Sequence, residues 1–374
     1  MQPKVIYSVG SYSDMFYRIG INIPDPFFYF DFGDKQYVFL DHREYGVFEE
    51  HNTNDAITLV LLNPLLEKAM AMDEKSSLTC RLAFLLFQEY DLSSKEIQVP
   101  TNFPLDLADY LRAKGMTLIP TAPLYPQRLY KTKEEAGYIR EALGLTYSGY
   151  ECVEDVLRAS TISGDTLLYE GNVLTSEFLS AKVEQTLLSR DLASECGMIV
   201  SCGSHAAIPH HRGAGPIRPH QTIICDLFPR HRKTGYFSDI TRTFVKGTVS
   251  DEIKKMYDAV YEAQTTAVKM IKPGVERSDV HQACIDIFLA RGYHAGDKGF
   301  THGTGHGLGI DLHEAPYVRG ASEVSGVFEP GHVVTVEPGL YYPEIGGIRI
   351  EDVVWVTEDG NDNLTTYHKD YHIA

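Results

Sequence analysis

Acidic residues interrupt four segments of the C-terminal half whose other residues have the apolar composition of buried strands. These residues are Asp226 in TIICDLF, Asp239 in GYFSDITRTF, Glu337 at the end of HVVTVE and Glu351 in GIRIEDVVWV. A buried, unpaired carboxylate is costly, so one such residue would indicate an exposed strand face. Four of them predict a fold whose strands bring the carboxylates to one place.

The order of these segments predicts how the acids meet. PRHRKTG, between the first two segments, is typical of a hairpin connection, which would place Asp226 and Asp239 side by side across the ladder. Because side chains alternate along a strand, Arg349 and Glu351 share a face. Carboxylates held together repel one another, and some take up protons unless cations lie between them. Two divalent cations would balance the four negative charges.

A glycine-rich stretch adds histidines to this set. HGTGHGLGIDLHEAP, residues 302–316, contains His302, His306 and His313, and ten of the fifteen histidines lie between His205 and His313. Histidine is a common metal ligand and proton carrier, and glycine lets backbone or substrate come close. Oxygen-rich ligation with one histidine favours Mn, Fe, Co or catalytic Zn. Two such ions, roughly 3.5–4 Å apart, activate a bridging hydroxide and a carbonyl, which suits amide hydrolysis.

Composition excludes several classes of function. The chain has 374 residues and a formal net charge of −17, which disfavours binding to nucleic acid or to anionic membranes. No apolar run is long enough to span a bilayer, and the N-terminal residues lack the apolar core of a signal peptide, so a cytoplasmic location is expected. The six cysteines contain no C-x-x-C pair, which predicts buried, reduced thiols.

The length predicts two domains, divided at a proline-rich connector around residues 121–130. Residues 1–125 show a hairpin (PFFYFDF, KQYVFLDH) and two helices (SSLTCRLAFLLFQEYDL, PLDLADYLRAKG), which predicts a small α/β domain. Residues 126–374 contain four helices and grouped strands, which favours an α+β domain with an antiparallel sheet. The last of these helices is expected to begin at a Ser278 cap and to stop at Gly292.

Five segments occur in the order found in one family of hydrolases. They are IPHH (208–211), DLF…GYFSDITRTF (226–244), HGTGHGLGIDLHE (302–314), VEPG (336–339) and GIRIEDVV (347–354). With these segments the chain resembles the pita-bread dimetal peptidases, in the branch of Xaa-Pro dipeptidases (prolidases) and aminopeptidases P. The resemblance implies a C-terminal pita-bread catalytic domain, a smaller N-terminal domain similar to that of creatinases and prolidases, and a homodimer that cleaves short proline-containing peptides.

The resemblance also implies a ligand set. Two divalent ions per chain, with Mn expected before Co, Fe or Zn, would be held by Asp226, Asp239, His306, Glu337 and Glu351. Asp226 would bind one ion in bidentate fashion, and Asp239 and Glu351 would bridge both. His306 and Glu337 would complete the shell of the second ion.

Further roles follow from the same resemblance. Glu337 would carry a proton from the bridging water to the leaving amine. His302 and His313 would hydrogen-bond the substrate and the tetrahedral intermediate. His210 and Arg349 match residues near the substrate pocket.

The chain departs from the family pattern in two places. The family shows Asp-x-Gly after the first ligand, whereas this chain has Asp226-Leu227-Phe228, and the connection to Asp239 is two residues longer and contains PRHRK. The departures bear on the local turn and on substrate selectivity, and PRHRK is interpreted as a solvated hairpin tip. Three alternative functions remain: an aminopeptidase P acting on longer peptides, a creatinase-like C–N hydrolase and a non-catalytic binding module. The complete ligand set counts against the last two.

Overall fold

A computed structural model describes residues 2–72 and 75–374 of the protein. The chain divides into two compact units, residues 1–126 and 127–374. The helices and strands described in the first unit are β1 (Lys4–Ser8), α1 (Ser13–Ile19), β2 (Phe27–Asp31), β3 (Gln36–Leu40), α2 (Tyr45–His51), β4 (Ile57–Leu61), α3 (Asn63–Met70), α4 (Leu78–Glu89), β5 (Glu96–Pro100), α5 (Leu105–Ala113) and β6 (Thr117–Thr121).

The first unit is built on a six-stranded mixed sheet with the strand order β4-β3-β2-β1-β5-β6. The predicted hairpin corresponds to β2 and β3, which pair antiparallel with Phe28 opposite Phe39. The predicted helices are α4 and α5, and the Ser77 side chain caps α4 by accepting a hydrogen bond from the Cys80 backbone. Apolar residues of the sheet, α4 and α5 form the core, so the α/β expectation is confirmed.

The second unit begins with a short 3-10 helix (Pro126–Leu129) that spans the boundary between the units. Its other elements are α6 (Lys133–Ala159), β7 (Thr161–Ser163), β8 (Thr166–Tyr169), β9 (Asn172–Val173), α7 (Ser176–Leu188), β10 (Leu192–Ala193), β11 (Met198–Cys202), β12 (Thr222–Leu227), β13 (Arg230–His231), β14 (Ile240–Lys246), α8 (Asp251–Met270), α9 (Arg277–Ala290), β15 (Gly305–Gly307), β16 (Glu314–Val318), β17 (Val333–Val336), β18 (Gly339–Tyr342), β19 (Gly346–Arg349), β20 (Asp352–Val356), β21 (Asn361–Asn363) and β22 (His372–Ile373).

Two sheets support the chemistry-bearing segments of the second unit. Their strand orders are β11-β12-β14-β22 and β16-β15-β17-β20-β21, and β18 pairs with β19. The pairings are antiparallel except that of β14 with β22. Apolar residues of α8 and α9, such as Val260 and Phe288, form one core with strand residues such as Val334 and Val354. The α+β expectation for this region is therefore confirmed.

The strands that carry the acids are shorter than the sequence predicts. Only Asp226 lies inside a strand, whereas Asp239 precedes β14, Glu337 follows β17 and Glu351 lies between β19 and β20. Pro338 has no N–H to continue a ladder, and the N–H of Glu351 donates to a carbonyl on β14 instead of to a partner in its own sheet. Three of the four acids therefore lie where the hydrogen-bond ladder of a strand begins or ends.

The pairing of the two aspartates is also corrected. Asp226 lies opposite Thr241, not opposite Asp239. Asp239 precedes Thr241 by two residues, so it lies diagonally across the ladder from Asp226 and on the same face. The two carboxylates still approach each other, with an offset that the predicted hairpin did not include.

The interpretation of PRHRK as a solvated tip is wrong for three of its five residues. Pro229 is buried, and so are Arg230 and His231, which form β13 and pair with β10. Arg230 donates from Nε to the Gly235 carbonyl at 2.8 Å. Only Arg232 and Lys233 are exposed.

One helix cap and three thiols also differ from expectation. Helix α9 has Glu276, not Ser278, at its N-cap, and the Arg277 backbone N–H donates to the Gly326 carbonyl. All six cysteines are free, as predicted, but Cys196 is exposed and Cys152 and Cys202 are only partly buried. In the described ranges, no helix has both the length and the apolar character required to cross a membrane.

Candidate metal centre

The nine side chains that the sequence singles out line one cavity of about 650 Å³ in the second unit. They are His210, Asp226, Asp239, His302, His306, His313, Glu337, Arg349 and Glu351. The structure thus brings the whole predicted set together. His210 and His313 are its exposed members.

Asp239, His306 and Glu351 form the tightest group in this cavity. One ligand atom from each lies within 4.8 Å of the others. His306 Nε2 is 3.6 Å from Asp239 Oδ2 and 3.4 Å from Glu337 Oε1. All three residues of the group are at most 8 % exposed, so water screens their charges poorly.

The orientation of His306 fits a cation between these groups. Its Nδ1 lies 3.0 Å from the Gly307 carbonyl oxygen, which assigns the ring proton to Nδ1 and leaves the Nε2 lone pair facing the two carboxylates. Burial lowers the pKa of His306 to about 3, so the ring is neutral at neutral pH. Electron-rich atoms therefore face one another, and a metal cation bound there would accept electron pairs from all of them.

Burial also raises the pKa of the carboxyl groups. The pKa values of Asp239 and Glu351 lie well above the usual range because both groups are buried and lie close to other carboxylates. Burial raises the pKa of Glu337 to about 7, an effect that Arg349 opposes and Asp226 reinforces. Without metal, this cluster holds protons at neutral pH, and divalent cations compete with those protons.

Arg349 connects Asp226 to His302 through Tyr341, a residue that sequence reasoning missed. Arg349 donates from Nη2 to Asp226 Oδ2 and from Nη1 to the Tyr341 hydroxyl oxygen, both at 2.8 Å. Burial raises the pKa of Tyr341 to about 12, so the hydroxyl keeps its proton. Its position on β18, beside the β19 strand that carries Arg349, is the signal that would have identified it.

The residues at the two ends of this hydrogen-bond network, His302 and Asp226, differ in whether they have a free acceptor atom. Tyr341 lies 2.8 Å from His302 Nε2, and His302 Nδ1 lies 2.7 Å from the Gly303 carbonyl, so both ring nitrogens are used within the protein. At the other end, Asp226 Oδ1 is buried and has no hydrogen-bond partner in the described part of the chain. That oxygen is available to a cation.

Threonine hydroxyls hold two of the acids in place. Thr241 donates from Oγ1 to Glu351 Oε2 at 2.8 Å. Thr335 accepts a hydrogen bond from the His306 backbone at 3.1 Å and donates to Glu337 Oε1 at 3.4 Å. Each threonine lies two residues from a cavity acid, so the alternation of side chains along a strand would have identified both.

The glycines beside His306 allow close packing of neighbouring strands. A Cβ atom on Gly305 would lie 1.9 Å from the Thr335 carbonyl oxygen, and one on Gly307 would lie 2.2 Å from the Ala315 carbonyl oxygen. Strand β15 lies between β16 and β17. At these two positions, glycine is required by the approach of other backbone, not by the approach of a substrate.

The fold and the cluster of carboxylates and histidine together define a metal-dependent hydrolase with the pita-bread architecture. Residues 137–358 match metallopeptidase family M24. This match covers more than half of the chain, and the protein belongs to that family.

Proteins of similar sequence that are named as peptidases agree with this assignment. The uncharacterized peptidase YqhT of Bacillus subtilis (strain 168) is 42 % identical over 173 residues, which cover 46 % of this chain and 47 % of that protein. Xaa-Pro aminopeptidase 1 of Streptomyces coelicolor is 36 % identical over 265 residues, or 64 % of this chain and 52 % of that protein. The chain spans about half the length of these curated relatives in the matched regions.

Solved structures share the fold over nearly the whole chain. Prolidase from Pyrococcus furiosus has a TM-score of 0.77 and 23 % identity, and the match covers 98 % of this chain and 97 % of that one. An X-Pro aminopeptidase from Thermotoga maritima has a TM-score of 0.80 and 21 % identity, with 100 % and 98 % covered.

Proposed function

We propose that this protein hydrolyses the N-terminal Xaa-Pro bond of dipeptides or short peptides with a pair of divalent metal ions. The observation that carries the proposal is the convergence of four buried or partly buried carboxylates and a neutral imidazole on one cavity. Relatives named Xaa-Pro aminopeptidase support the choice of substrate. Proline lacks an N–H and forms a tertiary amide, so its peptide bond needs a dedicated site.

The cluster supplies enough oxygen and nitrogen ligands for two ions. We propose that Asp226, Asp239, His306, Glu337 and Glu351 would hold the two ions: Asp226 would serve one ion, His306 and Glu337 the other, and Asp239 and Glu351 both. Ions bound there would polarise the scissile carbonyl and would lower the pKa of a water molecule so that it is a nucleophile at neutral pH. Mn is the metal we expect first, followed by Co, Fe or Zn.

The side chains of the cavity then direct the proton. Glu337 accepts a proton as water adds to the carbonyl carbon, and delivers it to the proline nitrogen as the C–N bond breaks. The products are the free N-terminal amino acid and either proline, from a dipeptide, or a peptide that begins with proline. His313 and His210, at the exposed side of the cavity, are proposed to hydrogen-bond the substrate.

A peptide panel tests this proposal and separates its two variants. Purified protein is incubated with Mn, Co or Zn and with matched pairs such as Ala-Pro and Ala-Pro-Ala. Cleavage of the dipeptide alone supports a dipeptidase, and cleavage of the tripeptide supports the aminopeptidase alternative, which the names of the Streptomyces relatives favour. If no Xaa-Pro bond is cleaved with any metal, the proposed function is wrong.

Two further properties accompany the proposal. We propose that the protein is a homodimer, which light scattering tests directly. The cytoplasmic location stays a prediction from the sequence and is tested by cell fractionation.

Replacing His302 with Ala is expected to leave the metal bound and to slow turnover by about 10- to 100-fold, the usual effect of an outer-shell change. Burial lowers the pKa of His302 to about 3, so the ring is neutral and its Nε2 accepts a hydrogen bond from the Tyr341 hydroxyl. Loss of His302 removes the acceptor of the Tyr341 hydroxyl. This hydroxyl also accepts from Arg349 Nη1, so its movement is expected to disturb the guanidinium group whose Nη2 donates to Asp226.

A double-mutant cycle checks this pathway. If His302 acts through Tyr341, the effects of His302→Ala and Tyr341→Phe on kcat are expected to be less than additive. Loss of one metal ion from His302→Ala, measured by elemental analysis, would mean that His302 is itself a ligand.

Phe228 stands where the family pattern has glycine, and its replacement is expected to change substrate preference. Phe228 packs against a cluster that contains Ile199 and Tyr341 and lines the cavity beside Asp226. Its loss removes apolar contact surface, so Phe228→Ala is expected to lower the preference for Leu-Pro over Gly-Pro roughly 10-fold. Phe178→Ala, on the exposed face of α7, is the matched control. Equal kcat/KM ratios in the wild type and Phe228→Ala would contradict a role in selectivity.

A further inference from the structure

A short segment before α6 contacts the loop that carries His313. Residues Arg128–Lys131, which we call the clamp, precede the region that matches the family. Arg128 donates from Nη2 to Asp311 Oδ2 at 2.6 Å and to Glu314 Oε2 at 2.9 Å. Lys131 Nζ donates to Glu314 Oε1. The two acids held by the clamp lie on either side of His313 in the sequence.

The ion pairs of Glu314 are shielded from solvent. The side chain of Lys131 is 2 % exposed, that of Glu314 is 13 % exposed and that of Arg128 is 15 % exposed, whereas the Asp311 side chain is 45 % exposed. Gly309 makes the approach possible, since a Cβ atom there would lie 2.7 Å from Glu314 Oε1 and 3.0 Å from Lys131 Cε. A buried ion pair adds little net stability compared with apolar residues of similar volume. What the ion pair contributes is geometry, because it fixes the position of the Glu314 side chain.

The clamp also contacts the turn before β17, the strand that Glu337 follows. The Lys131 backbone N–H donates to the Gly331 carbonyl at 2.7 Å. Tyr130 stacks on His332 with ring centroids 5.3 Å apart, and its hydroxyl donates to Glu329 Oε2 at 3.2 Å. One segment therefore contacts both the loop of His313 and the turn before β17.

His313 depends on its loop for its position. Its ring makes no hydrogen bond to any residue in the ranges 2–72 and 75–374 that the structure covers, and it packs edge-to-face on His306 with centroids 4.2 Å apart. A side chain held by packing on one side follows the backbone to which it is attached. The clamp fixes that backbone through Asp311 and Glu314.

We propose that Arg128 and Lys131 are positioning residues that set the place of His313 relative to the metal centre. The inference rests on the proposed function, in which His313 contacts the substrate. It assigns a role in the reaction to a segment that the sequence marks only as a connector.

The test replaces the Lys131–Glu314 pair by apolar residues of similar size, Lys131→Met with Glu314→Leu. Because the volume is kept and Arg128 keeps Asp311 as its ion-pair partner, the variant is expected to fold with nearly unchanged stability and metal content. Its kcat on an Xaa-Pro dipeptide is expected to fall about 10- to 100-fold with a smaller change in KM. The exposed pair Lys298–Glu344, replaced in the same way, is the control with unchanged kcat. The single variant Lys131→Arg, which keeps the charge opposite Glu314, is expected to retain most of the wild-type kcat.

Two readouts separate positioning from general structural damage. In a His313→Ala background, the apolar pair is expected to cause little further loss of kcat, and an equal loss in both backgrounds would overturn the inference. The second readout needs no activity: the histidine ring signals of the Zn-loaded protein are followed by NMR. A shift or broadening of the His313 signal in the apolar-pair variant supports the inference, and an unchanged signal overturns it. If the wild type cleaves no Xaa-Pro peptide, the proposed function fails, and the NMR result still decides whether the clamp positions His313.

Discussion

Asp239→Asn is expected to abolish peptidase activity and to release bound metal while leaving the fold intact. Asn has the shape of Asp but offers no negative oxygen, and Asp239 lies in the tightest group of ligand atoms, within 4.8 Å of donors from His306 and Glu351. As the proposed bridge, it serves both ions, so the loss is expected to exceed the roughly 10- to 100-fold typical of outer-shell changes. Elemental analysis and kcat on a dipeptide measure the two effects.

The same variant has a second expected result of opposite sign. In the metal-free protein, burial and neighbouring carboxylates raise the pKa of Asp239 well above its usual value, so the folded state keeps a proton on this carboxyl that the unfolded state releases at neutral pH. This proton uptake on folding costs free energy and is not needed with Asn, so Asp239→Asn is expected to increase the stability of the metal-free protein at neutral pH. Asp297→Asn, at an exposed position, is the control for both measurements. Normal metal content in Asp239→Asn would contradict the assignment of this residue as a ligand.

The sequence alone was sufficient to identify the four acids that meet in the cavity. Carboxylates within apolar segments are expensive unless something compensates their charge, and this argument found Asp226, Asp239, Glu337 and Glu351 without any contact information. All four line the same cavity. Their metal-binding roles were implied by the resemblance, and they stay predictions that the variants above test.

The geometry of the site was less accessible to sequence reasoning. The offset of Asp239 from Asp226 depends on where β14 begins, and that depends on pairing partners such as Thr241 rather than on local propensity. Tyr341 was missed because a tyrosine in a strand is typical of packing, and only the neighbouring strand reveals its contact with Arg349.

The contacts of the clamp were missed for a different reason. Arg128 and Lys131 lie more than 180 residues before Glu314 in the chain, and a pair of prolines nearby is typical of a connector. Charges at such separations meet only through tertiary structure. A pattern read along the chain cannot show which distant acid a basic residue contacts.

The metal-free protein is expected to lose stability as the pH rises from about 4 to 7 and to regain it when a divalent metal is added. The pKa of Glu337 is raised from 4.5 to about 7 by burial, and the pKa values of Asp239 and Glu351 are also raised, by burial and by nearby carboxylates. Between the unfolded and folded pKa values, the folded state binds more protons than the unfolded state. Stability therefore falls with rising pH in this window, by on the order of 3 kcal/mol for Glu337 alone.

Metal binding is expected to reverse this slope, because bound cations would replace the protons on the carboxyl groups. Ligands must be deprotonated to bind metal, so the stabilisation by Mn is expected to grow as the pH rises, reaching about 3 kcal/mol at a free concentration 100 times the Kd. Urea unfolding at several pH values, with chelator or with Mn, measures both slopes. Asp239→Asn with chelator is expected to show a shallower decline than the wild type, because one of the crowded carboxyl groups is absent. A stability of the chelated wild type that stays constant or rises between pH 4 and 7 would show that the carboxylates are not crowded in solution, and the case for a cation between them would fail with it.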